Sequence, residues 1–415
     1  MRVGIIGLGY VGLPLAVAFA EAGHEVTGVD VSERIVESLN AGRSQVEDID
    51  DERLAALGGR LTATTDSAAL AACDAVLICV PTPLANQREP DLSYIADAGR
   101  ALAAVLRDGQ LVVLESTTYP GTTRERLQPI LEESGLTAGR DFHLAFSPER
   151  IDPGRTDHTI RTTPKVVGGL TDACRARAVE VYSEICDDVV VVSTPEAAEM
   201  TKLLENIFRS VNIALVNELA VLCDRMGIDV WEVVDAAATK PYGFMRFEPG
   251  PGMGGHCLPV DPFYLAFKAR EYDFPAEFVE LAGKVNQHQP HYCVERVVRA
   301  LNDAGKPARD SKVLLLGASY KGGVGDMREA PALKIAHLLR QLGVEVSYHD
   351  PHVDQIPELG LSSVALEDEL GQCDVACVIT PHPEVDYERV VAEAPLVVDF
   401  RGVTRGIAAD NLIRL

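Results

Sequence analysis

The first thirty residues change their hydrophobic period in a way that few folds accommodate. Residues 3–6 form a short apolar run, residues 7–12 read GLGYVG, residues 13–22 are rich in alanine, and residues 24–30 (HEVTGVD) are predicted to form a second strand. A strand, a glycine turn, a helix and a second strand make a βαβ unit. The chain is therefore predicted to begin with a parallel sheet that has helices on both faces.

The rest of the chain adds helices and then repeats this beginning. Further strands are predicted at 75–80 and 110–114, and residues 196–226 keep a helical spacing without proline or glycine. At residue 311 a second strand, turn, helix and strand follow a turn-rich linker. The predicted α/β fold has two Rossmann-like, doubly wound parallel-sheet domains joined by a helical central domain with a long connecting helix.

The length also indicates several domains. A chain of 415 residues is too long for one ordinary hydrophobic core. We expect domain boundaries near residues 194 and 302, which gives the segments 1–194, 195–302 and 303–415. The long central helix, with its apolar stripe, suggests contact with a second copy and a homodimer or higher homo-oligomer.

The charge balance excludes some partners. The formal net charge is −24, and nucleic acids and anionic membranes are bound by basic surfaces. We therefore expect no nucleic-acid or membrane partner. A small anionic ligand remains compatible with this charge if lysines and arginines are concentrated at its site.

The chain carries no pattern of a secreted or metal-binding protein. Its first residues lack a small-residue cleavage site, and no uninterrupted apolar run of about 18 residues occurs. The 9 cysteines are scattered singly, without a CxxC pair that would suggest zinc. We expect reduced thiols, no metal and a cytoplasmic location.

The glycine turn predicts a dinucleotide site. Gly7 permits the tight turn, Gly9 lets the backbone approach a pyrophosphate, and Gly12 allows close packing of helix and strand. Asp30, at the end of the next strand, would accept hydrogen bonds from ribose hydroxyls and repel a 2′-phosphate. These features favour NAD over NADP, although Arg34 lies near enough to leave the second cofactor open. A glycine turn without a ligand is the alternative.

The segment 249–261 (PGPGMGGHCLPVD) is the most unusual in the chain. Its glycines and prolines fix a loop that a ligand can approach closely. Cys257 stands near its end, beside His256 and four residues before Asp261. A cysteine in such a polar, glycine-rich setting is a candidate nucleophile, whereas a small buried hydrophobe is the ordinary alternative. The other eight cysteines fit that alternative.

Polar residues interrupt the apolar pattern of the long helix. Lys202, Asn206 and Arg209 occupy positions i, i+4 and i+7 and are predicted to share one face. A solvated polar stripe is one interpretation. An anion site is the other, because Asn is a poor helix former and the lysine has no partnering acid in this stripe. Two hydroxyl-rich or charged turns, 115–121 and 147–150, are also expected at strand ends, where ligands of such sheets bind.

Taken in order, these segments resemble the UDP-glucose/GDP-mannose dehydrogenase superfamily, and the resemblance covers nearly the whole chain. The glycine loop looks most like that of the branch acting on UDP-N-acetylhexosamines, especially UDP-N-acetylglucosamine 6-dehydrogenases. The glucose branch carries a lysine just before the aspartate, where this chain has Val260. The segments that carry the resemblance are GLGYVGLPLA, ESTTYPGT, SPERIDPG, EMTKLLENIF, PGPGMGGHCLPVDP, SYKGGVGDMREAPA and VVDFRG.

The resemblance implies an NAD-dependent, four-electron oxidation of a UDP-sugar at C6, through a thiohemiacetal and a thioester on Cys257. Lys202 and Asn206 would stabilise the oxyanion, and water near Asp261 and Thr117 would remove the hydroxyl proton. Glu149 or Asp261 would orient the water that hydrolyses the thioester.

The resemblance also assigns binding residues. The segment 1–194 would bind NAD, and the segment 303–415 would bind the UDP-sugar. The implied NAD contacts are Gly7, Gly9, Tyr10, Val11, Gly12, Asp30, Arg34, Pro81, Thr82 and Thr117. The implied substrate contacts are Glu149, Arg150, Lys202, Asn206, Arg209, Phe247, Gly250, Gly254, Lys321 and Arg401.

Two arginines have open roles. Arg328 matches a family position near the nucleotide sugar, but an ion pair with Asp326 or Glu329 is an equal alternative. The glucose branch has an arginine that reaches into a neighbouring subunit's site, and this chain offers no secure match. Arg246 or Lys240 could take its place.

The sugar and the reaction class also leave alternatives. UDP-N-acetylglucosamine is the first expectation, followed by UDP-N-acetylmannosamine, UDP-N-acetylgalactosamine and UDP-glucose. A two-electron dehydrogenase of the β-hydroxyacid type would share the first domain and the long helix, but would need neither Cys257 nor residues 311–415. A non-catalytic sensor would bind without turnover.

Overall fold

The computed structural model describes residues 1–46, 49–85, 89–150, 158–255 and 257–415, without the side chains of residues 257–259. The chain divides into two compact units. The first comprises Met1–Glu205 and Phe263–Pro275, and the second comprises Asn206–Pro262 and Ala276–Leu415.

The first unit is built on an eight-stranded sheet. Its strands are β1 (Arg2–Ile6), β2 (Glu25–Val29), β3 (Leu61–Thr64), β4 (Ala75–Ile78), β5 (Leu111–Leu114), β6 (His143–Phe146), β7 (Lys165–Gly169) and β8 (Val189–Val192). Its helices are α1 (Gly12–Glu21), α2 (Glu33–Asn40), α3 (Asp51–Ala56), α4 (Ser93–Ala103), α5 (Gln128–Glu132) and α6 (Asp172–Tyr182).

Strand direction in this sheet changes once. The strand order is β3-β2-β1-β4-β5-β6-β7-β8, and strands β1 to β6 run parallel. This part has the strand order of a dinucleotide-binding fold. Strand β7 pairs antiparallel with β6, with Phe146 opposite Gly168, and β8 runs parallel to β7. The amino end of β7 therefore lies at the carboxyl end of β6.

Strands β4 and β5 are buried on both faces because their apolar runs are continuous, whereas Val190 and Val191 in the edge strand β8 are exposed. In β4, Ala75 and Leu77 belong to one core cluster, whereas Val76 and Ile78 belong to another. This alternation follows from the two-residue period of a strand. Two apolar layers thus enclose the sheet, and only its edges and strand ends can carry polar chemistry.

The second unit contains helices and a smaller parallel sheet. Two helices, α7 (Pro195–Met226) and α9 (Cys257–Arg270), each have residues in both units. The other helices of the second unit are α8 (Val230–Ala238), α10 (Glu277–Asp303), α11 (Pro331–Gln341), α12 (Leu366–Glu369) and α13 (Tyr387–Glu393). Its strands are β9 (Lys312–Leu316), β10 (Glu345–His349), β11 (Gln355–Ile356), β12 (Leu361–Ser362), β13 (Val375–Val378), β14 (Val397–Asp399) and β15 (Leu412–Arg414). The main sheet has the order β10-β9-β13-β14-β15 with all strands parallel.

The second Rossmann-like sheet repeats the turn geometry of the first. Gly7 has φ 90° and donates its N–H to the carbonyl of Val29, and Gly317 has φ 91° and donates to the carbonyl of His349. In both turns the bend brings the glycine against the neighbouring strand's exit, where a side chain would not fit. The predicted repeat of the βαβ unit, and with it the fold class, is confirmed.

The division into units differs in kind from the predicted domains. The boundary between the units falls inside α7, between Glu205 and Asn206, and the residues Phe263–Pro275 belong to the first unit. Helix α7 is also the one described helix that is long and apolar enough to cross a membrane by length and composition. A core helix of a globular protein passes the same test, so this finding is weak support for a membrane span.

Replacing Gly317 by alanine should destabilise the second sheet. An added Cβ would lie 2.2 Å from the Thr380 carbonyl oxygen, at a φ that L-residues rarely adopt. We expect the free energy of unfolding to fall by about 2 kcal/mol, which corresponds to a thermal unfolding midpoint lower by roughly 4–8 °C. Gly371→Ala is the control, because its added Cβ meets nothing within 4 Å. Equal thermal midpoints for the two variants would refute the packing argument.

Candidate active site

The three glycines of the first turn are required for three different reasons. Gly7 has a positive φ, and a Cβ added there would lie 2.7 Å from the Cys79 carbonyl oxygen. A Cβ on Gly12 would lie 1.8 Å from the carbonyl oxygen of Gly7. Gly9 has an ordinary φ, and a Cβ there would meet nothing within 4 Å. Since neither conformation nor packing requires glycine at position 9, close approach of a ligand to the backbone is the remaining physical reason.

Asp30 is held at the edge of this turn. Its carboxylate accepts hydrogen bonds of 2.9 Å from the N–H groups of Leu8 and Ser32. The same carboxylate therefore links the glycine turn to the end of β2, next to the amino end of α1. Free N–H groups at that helix end attract phosphate, while Asp30 suits hydroxyl donors. Tyr10 and Arg34 are exposed around this turn, and Val11 precedes the first residue of α1.

The loops after β4 and β5 continue the same sheet edge. Pro81 is exposed, and Thr82 is buried with its carbonyl accepting a 2.8 Å hydrogen bond from the Tyr264 hydroxyl. Ser116 donates to the Val80 carbonyl at 2.7 Å, which ties the two loops together. Thr117 follows and is half-buried. The residues expected to contact NAD thus lie around the carboxyl ends of neighbouring strands.

Helix α7 is fastened to the loop after β5 by a buried glutamate. Glu199 accepts hydrogen bonds from the N–H groups of Gly121 at 2.6 Å and Thr123 at 2.8 Å, and from the Thr123 hydroxyl at 2.7 Å. Burial raises the pKa of Glu199 to about 7, although these hydrogen bonds favour its ionised form. Glu199 lies one helical turn before Lys202 and fixes that part of the helix.

Lys202 and Glu149 are brought together in the first unit. Lys202 is 8 % exposed, and its ammonium donates a 2.5 Å hydrogen bond to the backbone carbonyl of Glu149. Arg150 pairs with Glu205 at 2.7 Å and donates to the Pro164 carbonyl at 2.6 Å. The guanidinium predicted to contact substrate therefore joins the loop after β6 to α7.

A buried ion cluster that the sequence analysis did not identify lies behind Glu149. The Lys165 ammonium is 2.7 Å from a carboxylate oxygen of Glu115 and 3.6 Å from one of Glu149. The Tyr182 hydroxyl donates to the other oxygen of Glu115. A lone lysine at the start of the apolar stretch KVVGG was the available signal, but a sequence pattern does not indicate its partners.

Asn206 and Asp261 pair in the second unit. The Asn206 amide donates a 2.5 Å hydrogen bond to Asp261, and both side chains are buried. Asp261 lies in the second turn of α9, the helix that begins at Cys257. The side chain of Cys257 and residue His256 lie outside the described residues, so the predicted nucleophile remains a prediction.

The glycine loop packs directly against the segment that follows Ser319. A Cβ on Gly254 would lie 2.8 Å from the Tyr320 Cβ and 3.0 Å from the Glu329 carbonyl oxygen. The Gly255 N–H donates to the Arg328 carbonyl at 2.9 Å. The loop therefore requires glycine at position 254 for packing, which is a different reason from the ligand contact that the resemblance implies.

The side chain of Arg401 packs against the backbone of Gly250. Its N–H donates to the buried Asn217 side chain at 2.9 Å, and a Cβ there would lie 2.5 Å from a nitrogen of Arg401. Burial lowers the pKa of Arg401. No hydrogen bond or ion pair joins its guanidinium to another part of the chain that the structure describes, so it can receive an anion. Phe247 nearby is half-buried and packs edge-on against Phe208, with ring centroids 5.7 Å apart.

Other predicted contacts are placed differently. Arg209 is exposed, unlike the buried Lys202 and Asn206, and the next buried polar residue on that side of α7 is Ser210. Arg328 pairs with Asp326 in an exposed ion pair, which favours the structural alternative for this arginine. Arg246 pairs with Asp235 at 2.7 Å and with Glu248 at 3.1 Å. Lys321 is half-buried in the turn after Tyr320.

The carboxylate that ends β10 shows why the two Rossmann-like sheets differ in chemistry. Asp350 corresponds to Asp30 and accepts the N–H of Ala318 at 2.7 Å, but its side chain is fully buried and bonded to His382 at 3.0 Å. Burial opposes its ionisation, yet the hydrogen bonds from His382 and the backbone lower the pKa of Asp350 to about 2. This carboxylate is buried and hydrogen-bonded within the protein, so it is not accessible to a ribose.

The same histidine limits the one described group that could hold a metal ion, His352, His382 and Glu384. One ring nitrogen of His382 accepts the N–H of Gly323 at 3.2 Å, and the other faces Asp350. With both nitrogens engaged, His382 has no lone pair directed to a metal. The cluster is better described as a hydrogen-bonded support for the turn after β9.

The eight described cysteines fit their predicted role as small apolar residues. All are free thiols, and all but the half-buried Cys223 are buried. Burial raises the pKa of the Cys186 thiol to about 11 and that of the Cys373 thiol also to about 11. Such thiols are poor nucleophiles near neutral pH.

Family models match three consecutive parts of the chain. Residues 1–186 match the NAD binding domain, residues 196–288 the central domain, and residues 314–406 the UDP binding domain of the UDP-glucose/GDP-mannose dehydrogenase family. The match to a UDP binding domain after residue 311 rules out the two-electron class that lacks this part.

Relatives match over nearly their full length. The UDP-N-acetyl-D-mannosamine dehydrogenase of Pyrococcus horikoshii is 35% identical over 428 residues, covering 98% of this chain and 100% of the relative. The NDP-N-acetyl-D-galactosaminuronic acid dehydrogenase of Ralstonia nicotianae is 35% identical, covering 97% of this chain and 96% of the relative. A solved structure of the Pyrococcus horikoshii UDP-D-ManNAc dehydrogenase has a TM-score of 0.91 at 33% identity, covering 100% of this chain and 99% of that one.

The glycine turn yields a test of the NAD site. Gly9→Ala should weaken NAD binding by roughly tenfold or more while leaving the unfolding temperature unchanged, because its Cβ obstructs only the ligand. Gly12→Ala should lower both the NAD affinity and the unfolding temperature, because its Cβ would clash with the Gly7 carbonyl oxygen. Calorimetric titration with NAD and thermal unfolding measure the two quantities. Unchanged NAD affinity in Gly9→Ala would contradict the assignment.

The turn geometry, the paired Asp30 and the ordered matches agree on one conclusion. The chain belongs to the UDP-glucose/GDP-mannose dehydrogenase family and is an NAD-dependent UDP-sugar dehydrogenase.

Proposed function

We propose that this chain oxidises C6 of UDP-N-acetyl-D-mannosamine to a carboxylate, in two hydride transfers, through a thioester on Cys257. The names of several similar proteins support N-acetylmannosamine over the N-acetylglucosamine that the loop pattern favoured. The position of Cys257 as the first residue of α9, one turn before the buried Asp261, is the observation that carries the proposal. A helix amino end stabilises a thiolate, which is the reactive form of cysteine.

The first oxidation needs an acceptor for the C6 hydroxyl proton. Asp261 is buried, is bonded to Asn206, and can hold a water that takes this proton. Bound NAD would accept one hydride in each oxidation, so two NAD molecules are reduced per sugar. The glycine turn and Asp30 supply the features that fit its pyrophosphate and ribose.

The covalent step follows at the aldehyde. The Cys257 thiolate adds to C6, a carbon–sulfur bond forms, and the carbonyl oxygen becomes an oxyanion. Lys202 and Asn206 stabilise this oxyanion. Lys202 donates one of its three N–H groups to the Glu149 carbonyl, which leaves two for the oxyanion. Asn206 donates one amide N–H to Asp261, which leaves its second amide N–H for the oxyanion. A preorganised donor of this kind lowers a barrier by about 3–4 kcal/mol.

Hydrolysis completes the reaction. After the second hydride has left, water adds to the thioester carbonyl, the carbon–sulfur bond breaks, and the thiol and the uronate separate. Glu149 orients this water and takes one of its protons. Retention of the intermediate on sulfur prevents loss of the aldehyde between the two oxidations.

The nucleotide part of the substrate needs cations in an acidic chain. Arg401, whose guanidinium makes no hydrogen bond or ion pair within the described residues, and Lys321 supply positive charge to the diphosphate. Gly250 lets Arg401 lie against the loop, and Phe247 and Gly254 complete the substrate contacts. The exposed Arg209 reads a sugar substituent.

We also propose a cytoplasmic homodimer, and the helix that carries Lys202 supports the dimer. Large apolar side chains at least 39% exposed recur along α7 at intervals of three, four and seven residues, as in a helix–helix seam. This continuous stripe is better covered by a second copy than by water. Its members are Met200, Leu204, Phe208, Leu215, Leu219, Leu222 and Met226.

A panel of UDP-sugars tests the reaction. With UDP-N-acetylmannosamine we expect two NADH per sugar and formation of the uronate, and slower oxidation of the glucosamine, galactosamine and glucose analogues. Cys257→Ser should lose uronate formation and keep NAD affinity, because the turn at Gly7–Gly12 is untouched. Absorbance at the NADH band and mass spectrometry of the product measure both.

Cys223→Ser is the matched control, since this half-buried thiol is not assigned any chemistry. It should retain the wild-type stoichiometry. Uronate formation by Cys257→Ser at the wild-type rate would eliminate the covalent route, and one NADH per sugar in the wild type would eliminate the four-electron reaction.

A further inference from the structure

Lys165 is a buried cation that the proposed chemistry leaves without a role. It is 5% exposed and begins β7, in an otherwise apolar strand. Burying an ammonium is costly unless carboxylates compensate it closely. Two do so here, Glu115 at 2.7 Å and Glu149 at 3.6 Å. Glu115 is buried directly after β5, whereas Glu149 lies in the loop after β6, which carries the proposed chemistry.

The strand reversal in the first sheet explains how this lysine reaches the loop. Ala145 lies opposite Gly169 and Phe146 opposite Gly168 in the antiparallel β6–β7 pair. Continuing this register by three positions, in opposite directions along the two strands, brings position 149 opposite position 165. A parallel strand here would start at the far edge of the sheet, away from the loop. The reversal therefore delivers a cation to the edge where the strand ends collect.

Glu115 fixes the lysine from the other side. Its carboxylate is fully buried, accepts the Tyr182 hydroxyl, and lies directly after β5. Burial raises the pKa of Glu115, and Lys165 opposes that shift. Burial likewise disfavours the charged lysine, but Glu115 and Glu149 together raise the pKa of Lys165 above its ordinary value. The ammonium therefore stays charged at neutral pH.

Lys202, which is 8% exposed, is a second buried cation close to Glu149. The titratable groups that face the cluster from neighbouring elements are Cys79 after β4, Glu115 after β5, Glu149 after β6, Tyr182 from α6 and Cys186 after α6. Burial raises the pKa values of both thiols, so they stay neutral. The Lys202 ammonium donates to the backbone carbonyl of Glu149. Arg161 is exposed, and its charge interacts with the Cys186 thiol.

We propose that Lys165 is a positioning residue that keeps the Glu149 carboxylate ionised and oriented for hydrolysis of the thioester, with Glu115 as its fixed counter-ion. This rests on the proposed function through the role of Glu149. An ammonium within 4 Å stabilises a carboxylate over the carboxylic acid, and it also fixes which oxygen faces inward. Lys165 itself touches neither substrate nor cofactor in this role.

Replacement of Lys165 should move the acidic limb of the pH–rate profile. In Lys165→Met, two carboxylates remain in an apolar setting without a cation, so Glu149 becomes protonated at higher pH. The acidic limb of kcat should therefore move up by about 1 pH unit or more. Lys165→Arg should restore it. Glu115→Gln removes a competing anion while Lys165 stays, so its limb should move down.

Lys268→Met is the matched control. Lys268 is also 5% exposed in the first unit and pairs with two carboxylates, Glu125 and Glu271, each at 2.7 Å. Its replacement should lower the unfolding temperature without moving the acidic limb. Limbs displaced in opposite directions by Lys165→Met and Glu115→Gln support the proposal, because general damage to the fold does not reverse sign. Unmoved limbs in both, or a limb displaced equally by Lys268→Met, overturn it.

A second measurement needs no turnover. In protein labelled with carbon-13 at the glutamate carboxyl, the resonance lost in Glu149→Gln reports the titration of Glu149. Its midpoint should rise in Lys165→Met and return in Lys165→Arg. An equal midpoint in Lys165→Met and the wild type overturns the electrostatic link even if every UDP-sugar assay succeeds. Absence of UDP-sugar oxidation, by contrast, removes the proposed function and leaves this titration readable.

Discussion

The direction of the strands in the first sheet is the constraint on which the remaining features of that unit depend. Parallel strands β1 to β6 deliver their following loops to one edge, since every strand ends there. The glycine turn, Thr82, Thr117 and Glu149 all come directly after such ends. Both faces of the sheet are apolar and covered, so this edge is where polar groups can gather without being stranded in the core.

The reversal at β7 adds charge to that edge. Strands β1 to β6 contribute the loops at their carboxyl ends, whereas β7 contributes its first residue, Lys165. Buried ionisable groups described here have close polar partners: Lys165 pairs with Glu115 and Glu149, Glu199 accepts backbone N–H groups, and Lys202 donates to a backbone carbonyl. The reversal therefore places one ammonium beside the Glu149 carboxylate, to which we assign the hydrolytic water.

The two Rossmann-like sheets show how one backbone geometry supports different chemistry. Asp30 and Asp350 hold equivalent positions and accept equivalent backbone N–H groups. His382 closes Asp350 inside the second sheet, whereas Asp30 is only half-buried. The difference comes from His382 and from an additional backbone N–H of Ser319, and it leaves Asp30 the more accessible of the two carboxylates.

Local patterns predicted the strands, the long helix and the glycine turn because each depends on a few adjacent residues. The alternation in β4 and the positive φ at Gly7 and Gly317 follow from such local rules. Contacts that depend on strand pairing or on packing between distant segments could not be predicted from these local patterns. The pairing of Lys165 with Glu149 depends on a strand reversal that periodicity does not encode, and the packing of Gly254 against Tyr320 joins segments more than sixty positions apart. Arg209 lies two turns after Lys202 on the same helix, yet Arg209 is exposed and Lys202 is buried, because helical spacing alone does not determine which residues a neighbouring element covers.

The covalent intermediate gives the most direct test of the whole account. Glu149→Gln mixed rapidly with UDP-N-acetylmannosamine and NAD, quenched in acid and digested, should yield a peptide containing Cys257 that is heavier by the mass of the UDP-linked uronyl group. The adduct should accumulate because both oxidations proceed while hydrolysis is slowed. An unmodified Cys257 peptide at every quench time, in a sample that has already released two NADH per enzyme site, would contradict the account.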